Sequence, residues 1–437
     1  MSGSHHVEKA HTSSDVHRYS SHVTPSVEIY GHAPHISAHD RRKRVVPSSQ
    51  NTSFVSYKYY NEVQPENAIP TGVWNGSSSY SDFIIPDTCH ILNDVNLEFT
   101  LQWTSDGSSG TGNNITPKPA HQMIDYISLM FEGSGQDSCI LRGEDQQLLY
   151  LASTSDEEFR RSAHSYGMDP TDDTRVNVRT FAAATGNSQS FTRKYRIRVG
   201  GPLGSSRIFA AGIVDDLRIR VHWATSATTA LTGTPTVSLQ STQLIIEEQQ
   251  LTRSDFDRLM AQYRSDSGVS HRWAEVRVSS HPFTVSSGMS LSQVLNSHSS
   301  YAAGLLVTCR SQLTTGAGPT TFLPITSLQL HDERNVKLSN VMTDEFLRDH
   351  VSRAGDWASD AARTTPFYFI PFSLSLASLF AHGTSTGGLK LSSRDKLDIV
   401  ASATMASTNS GNIQIDIGSI NPAWMDISRG KVRMAKS

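Results

Sequence analysis

In the stretch LRIRVHW, residues 217–223, apolar and polar side chains alternate without a break: Leu217, Ile219, Val221 and Trp223 against Arg218, Arg220 and His222. A period of two puts successive side chains on opposite faces, so the segment is a strand with one buried face. The pattern recurs along the chain. Val95, Leu97, Phe99, Leu101 and Trp103 carry it in SDFIIPDTCHILNDVNLEFTLQW (81–103), and it returns at 123–133, 189–204 and 236–248. After a break it resumes at 272–280, 304–313, 325–333 and 396–405, and at 412–420 through Ile413, Ile415 and Ile417. Turn-dense segments such as TSDGSSGTGNNITPKP separate the strands. Segments 143–167 and 340–358 read as partly helical insertions, one in each half. Short alternating strands at this spacing predict an all-β chain of sandwiches or jelly rolls. With 437 residues the chain exceeds one ordinary core. The halves share no visible sequence identity, so any repeat is architectural.

The break between the halves is LTRSDFDRLMAQYRS, residues 251–265. Thr252 suits an N-cap and Asp255 stands at N3, a capping box with Asp in place of Glu or Gln. Leu251 and Phe256 have hydrophobic-staple spacing. Phe256, Leu259, Met260 and Tyr263 follow i, i+3, i+4, i+7 and form one apolar stripe. Asp255 and Asp257 suit the helix N-terminus and Arg264 its C-terminus. This predicts a linker helix over 251–266 that packs through Phe256, Leu259, Met260 and Tyr263.

Residues 1–50 differ in texture. Eight of the 18 histidines fall between His5 and His39, no period persists, and the segment ends in DRRKR. It reads as a flexible His-rich, basic arm that orders only against a partner. His32, His35, His39 and Asp40 have metal-like spacing but no rigid frame, so no metal site is assigned; charging near pH 6 is a second reading of these histidines. Arg41, Arg42, Lys43 and Arg44 read as a solvated cluster, a nuclear-import-like or protease-sensitive site, or an anchor for phosphates. A basic tail over 429–437 adds Arg429, Lys431, Arg433 and Lys436. The formal net charge of -3 confines any nucleic-acid contact to such patches.

The three cysteines, Cys89, Cys139 and Cys309, form no CxxC and read as reduced, buried thiols. The N-terminus has no apolar h-region, so no signal peptide is expected. The most apolar run, 366–381, is broken by Pro371 and three serines and reads as buried strand and turn. GTSTG (383–387) matches GxSxG around Ser385, but a nucleophile elbow needs a following helix and the next residues alternate like a strand, so it reads as a turn. The sequons at Asn51, Asn75 and Asn114 read as unused. Glu247, Glu248, Asp215 and Asp216 pair with no cleft, and no catalytic or cofactor-binding residue is assigned.

The order of these elements resembles the double jelly-roll major capsid proteins of tailless icosahedral double-stranded DNA viruses. The residues that carry it are a β-domain ending in LIIEEQQ, the amphipathic helix, and a second β-domain opening with HPFTVSSGMSLSQVLN. FIIPDTCHILNDVNLEFTL looks like the opening strand pair of the first jelly roll. TSLQLHDERNVKL, PFYFIPFS and GTSTGGLKLSSRDKLDIV look like late strands of the second. The resemblance implies a first jelly roll over 51–250 and a second over 267–428. It implies a homotrimer that forms a pseudo-hexagonal capsomer in a virion shell, assembled inside the host cell, with loops at one end (104–120, 314–320) outermost. It also implies penton and minor capsid proteins as partners, and chain ends that face inward. There Arg41, Arg42, Lys43, Arg44, Arg429, Lys431, Arg433 and Lys436 would meet an internal membrane or genome phosphate. No enzyme activity, cofactor or small-molecule substrate is expected. Two rivals stand beside it: a single-jelly-roll RNA-virus coat with a projecting domain, and a non-viral β-sandwich adhesin or carbohydrate-binding protein. The six dispersed, mostly strand-borne tryptophans argue against the second.

Overall fold

The computed structural model of the chain describes residues 56–67, 79–86, 88–104, 113–131, 137–154, 156–169, 181–183, 190–205, 207–214, 216–225, 228–231, 236–298, 301–311, 323–347, 367–373, 386–402 and 412–436. The His-rich arm with Arg41–Arg44, the tip 314–320, Ser385, Asn51 and Asn75 lie outside them.

The first half contains β1 (Ser56–Val63), β2 (Ser79–Ile84), β3 (Ile91–Thr104), β4 (Asn113–Pro117), β5 (Ile124–Phe131), β6 (Asp137–Arg142), β7 (Phe181–Ala183), β8 (Ser190–Arg198), β9 (Ile208–Phe209), β10 (Leu217–Trp223), β11 (Thr228–Leu231) and β12 (Thr236–Leu251). Between them lie helices α1 (Gly143–Ser153), α2 (Asp156–Ser162) and α3 (Pro202–Ser205). Helix α4 (Arg253–Arg264) leads into β13 (Val269–Thr284), β14 (Ser290–Val294), β15 (Tyr301–Ala302), β16 (Gly304–Ser311), β17 (Ile325–His331) and β18 (Met342–Thr343). The second half ends with β19 (Phe367–Pro371), β20 (Leu389–Lys390), β21 (Lys396–Ala401), β22 (Asn412–Ser428) and β23 (Lys431–Lys436).

Two sheets face each other in each half. The first half pairs β1-β12-β3-β8 with β2-β10-β5-β6, and the second pairs β13-β22-β16-β19 with β14-β21-β17-β18. Counting only these strands within each half, both halves read 1-8-3-6 in one sheet and 2-7-4-5 in the other. All of their ladders are antiparallel. Two Greek keys wound in this order make an eight-stranded jelly roll, and the chain contains it twice. FIIPDTCHILNDVNLEFTL is therefore not an opening pair. β2 and β3 are the second and third strands and lie in opposite sheets. The opening strand is SYKYYNEV, too polar to stand out in the sequence.

The alternating residues fill the cores. Val95, Leu97, Phe99, Leu101 and Trp103 of β3 are fully buried and face Leu217, Ile219, Val221 and Trp223 of β10 in one cluster. Ile413, Ile415 and Ile417 of β22 join the second cluster with Leu305, Val307, Leu397 and Ile399. All three cysteines are buried free thiols; burial pushes the Cys309 thiol up to about 12.

β12, 16 residues long, spans about 50 Å at the usual strand rise of about 3.3 Å. At its start, Thr236 stands beside Thr104, where β3 ends and β8 begins. The short sheet β11-β4-β7 hangs from this end, so part of the expected 104–120 loop is strand, and Asn114 lies in it. At the far end Leu251 pairs with Ser56, the first residue of β1, and the chain enters α4. The start of β1, the linker helix and the end of β22 gather here, because Val269 pairs with Ile427.

Candidate assembly surfaces

The linker helix locks the two jelly rolls together. Thr252 caps it by accepting from the Asp255 N–H at 3.4 Å, and its hydroxyl donates to Asp255 Oδ2 at 2.9 Å. Asp, one methylene shorter than Glu, bonds the capping hydroxyl. Leu259 and Tyr263 are buried, and Phe256 and Met260 pack on the same core from its rim. Phe256 also meets His90 with tilted rings (4.7 Å) and Phe209 edge-on (5.3 Å). Tyr263 does more than fill space. Its hydroxyl accepts from the backbone N–H of Phe209 in the first half (3.0 Å) and bonds His271 Nε2 in the second (2.8 Å). Replacing Tyr263 with Phe keeps the ring and strands two buried polar groups. The expected cost is about 1–3 kcal/mol, read as a shift in the denaturant midpoint; an unchanged midpoint would show that water replaces both bonds.

Two further contacts join the halves. β13 and β22 extend beyond their own sandwich, so that Val269, Trp273, Ala423, Met425 and Ile427 belong to the first core. Helix α1 of the first half covers the outer face of β13-β22-β16-β19. There Leu148 packs with Ala274, Val276, Leu306, Phe369 and Ile420.

Charge is concentrated at the same contact. Asp416 on β22 and Arg310 on β16 are 1% and 6% exposed and form an ion pair at 2.5 Å. Asp416 Oδ1 also accepts from Ser280 Oγ (2.6 Å) and Gln414 Nε2 (2.8 Å). In α1, burial raises the Asp145 carboxyl to about 7; Arg142 opposes the shift, and Glu144, Glu275 and Asp416 add to it. None of these residues was marked by the sequence patterns, because each is a lone polar residue on an otherwise regular strand or helix.

The basic tail expected over 429–437 is a strand. β23 pairs with β22 from Ser428↔Lys431 to Ala423↔Lys436. Its alternation Lys431, Val432, Arg433, Met434 was the available signal. Val432 and Met434 pack on the first core, while Lys431 and Arg433 are exposed. Lys436 is its last residue. The connecting turn has positive φ at both Arg429 (54°) and Gly430 (73°), the type I′ geometry that suits a two-residue hairpin. Arg429 is held there by Asp266 Oδ1 at 2.6 Å, so its charge is paired. Of the expected anchors, Arg429, Lys431 and Arg433 thus stand near the linker-helix end, where β1 also starts.

Opposite the lobe contact, the outer face of β1-β12-β3-β8 is polar and open, with Tyr60 70% exposed. A cleft of about 460 Å³ at its β8 edge is lined by Glu98, His164, Arg193, Lys194, Tyr195 and Arg196. In the second half Val336, Val341 and Phe346 are each more than half exposed, and Val341 and Phe346 flank β18 in the chain. Among the described residues no cluster of His, Cys, Asp or Glu could hold a metal ion, and no helix is long and apolar enough to cross a membrane.

No protein-family model matches the chain, and no curated protein matches it. Solved structures do. The Faustovirus major capsid protein superposes with a TM-score of 0.60 at 10% identity, over 98% of this chain and 100% of that one. The chain of the PBCV-1 virus capsid quasi-atomic model gives 0.59 at 12% identity, over 88% and 97%. A chain of the Sputnik virophage gives 0.55 at 10% identity, over 90% and 89%. The chain has the double jelly-roll fold. The match runs through both halves, which excludes a single jelly roll with an unrelated projecting domain. In this double jelly roll, the linker helix, the α1 contact and the shared strands make the two lobes one body.

Proposed function

We propose that the chain is the major capsid protein of an icosahedral DNA virus, that it trimerises into pseudo-hexagonal capsomers, and that its place is the virion shell. One observation carries the reading: two jelly rolls of identical strand order are fixed side by side in a fold also found in the Faustovirus major capsid protein and the PBCV-1 virus capsid. A contact of one lobe with the next, repeated between chains, closes a ring, as heterologous interfaces do when the rotation allows. Three chains then present six similar lobes. Catalysis plays no part in this reading, because assembly is the work of the fold.

Neighbouring capsomers, penton and minor capsid proteins are the further partners. The linker-helix end, with Lys431 and Arg433, faces inward toward anionic lipid headgroups or genome phosphate, joined by Arg41–Arg44 and Lys436. Light scattering of the purified chain tests the reading, with negative-stain images beside it. A particle of about three times 47.9 kDa with a hexagonal outline is expected. A monomer at every concentration would overturn it and return the weight to a binding module.

A further inference from the structure

The contact that joins the two lobes has a counterpart that the chain leaves open. Helix α1 follows β6, the fifth principal strand of its half, and places acidic Glu144 and Asp145 ahead of apolar Leu148. It lies on the first sheet of the other half. The second half has the same construction. β18 is its fifth principal strand, and residues 344–347 turn helical directly after it, with Asp344 and Glu345 ahead of Phe346 and Leu347. Leu347 is buried, whereas Glu345 and Phe346 are exposed and adjoin exposed Val341.

The face that corresponds to the one under α1 is the outer face of β1-β12-β3-β8. Its β8 edge carries Arg193, Lys194, Arg196 and Arg198 in one strand. Lys194 pairs with Glu98, and Arg198 with Asp94 at 2.7 Å. Arg196 has no carboxylate partner among the described residues, and it lines the 460 Å³ cleft with Glu98, His164, Arg193, Lys194 and Tyr195. Glu98 stands there against three cations: Lys194 is paired with Glu98, and buried Arg193 donates to the His164 carbonyl at 3.0 Å, so the cleft keeps a net positive charge and Arg196 is its cation without a carboxylate.

We propose that this cleft receives Glu345 of a second copy of the chain, so that the 344–347 turn of one protomer docks on β8 of the next. The inference rests on the trimer reading and names its surface. Charge complementarity fixes the register: a carboxylate on the turn meets Arg196, beside the Lys194–Glu98 pair. Burial of Val341 and Phe346 supplies the apolar part of the contact. Because the two patches differ, each protomer offers one and accepts the other, as a ring requires.

Charge reversal tests the pairing in the full chain. Glu345→Lys and Arg196→Glu should each weaken trimer formation by about tenfold or more, since like charges in a contact repel. The combined variant should restore it. Both side chains lie at the surface, so thermal unfolding of the monomer should barely move. A second measurement does not depend on tolerance of charge. With the native cysteines buried, Glu345→Cys mixed with Arg196→Cys should give intermolecular cross-links with a bifunctional maleimide. Trimers that ignore both reversals and give no cross-link would overturn the docking and leave the trimer standing. A wild-type chain that stays monomeric would overturn the trimer reading itself.

Discussion

Replacing Asp416 with Ala is expected to cost about 3–5 kcal/mol of stability, the usual loss when one partner of a buried ion pair is removed. The reason is what remains. Arg310 would keep its charge at 6% exposure, with Thr308, its neighbour at the Asp416 carboxylate, offering only a hydroxyl. Ser280 and Gln414 would lose their common acceptor as well. Removing both charges, as Arg310→Met with Asp416→Leu, should recover most of the loss, because two well-packed apolar side chains carry no desolvation penalty. The remaining deficit belongs to Ser280 and Gln414. Urea unfolding of the wild type, Asp416→Leu, Arg310→Met and the double variant forms a double-mutant cycle. A single variant that costs less than about 1 kcal/mol would show that water reaches Arg310 and that the pair is not dry.

Acid is the second large effect. Burial lowers His121 to about 3 and His271 and His298 to about 4. When the chain is unfolded, each takes a proton near its ordinary 6.5. The stability these neutral rings hold above that pH is lost as pH falls through 6.5 toward 4. Asp145 acts in the opposite sense. Folded, it gains a proton below about 7; unfolded, only near 3.8. It therefore returns stability over nearly the same window. Three protons favour the unfolded chain and one the folded chain. Partial titration at both ends of the window keeps the net a little under two, which corresponds to about 2 kcal/mol lost per pH unit between about 6 and 4. Denaturant midpoints from pH 7.5 to 4.5 should fall steadily, and Asp145→Asn should steepen the fall. A flat profile across pH 6–5 would mean that the buried histidines already carry protons.

The fold was legible where a strand has one apolar face and one polar face. β3, β10, β17, β21 and the first part of β22 announce themselves by period two. The linker helix announces itself by its cap and stripe. β1 was not legible because SYKYYNEV has no aliphatic residue before Val63. The later part of β22 was not marked, because the visible alternation ends at residue 420, before Asn421-Pro422. The strand continues because β16 last pairs at Ile420 and β23 begins at Ala423, so Pro422 falls where neither pairs on that side. β23 was mistaken for a tail because four cations in nine residues outweighed the alternation of Val432 and Met434.

The sequence by itself determined the all-β class, the division around one capped helix and the residues of that helix that pack, since periodicity and capping act within a few residues. Only the tertiary structure decided which strands share a sheet, that both halves wind in the same order, and that α1 lies across the second jelly roll. It also brought Asp416 to Arg310 and left the β8 cleft open. These are pairings between residues up to 195 positions apart, and no local pattern records which distant face a polar side chain will meet.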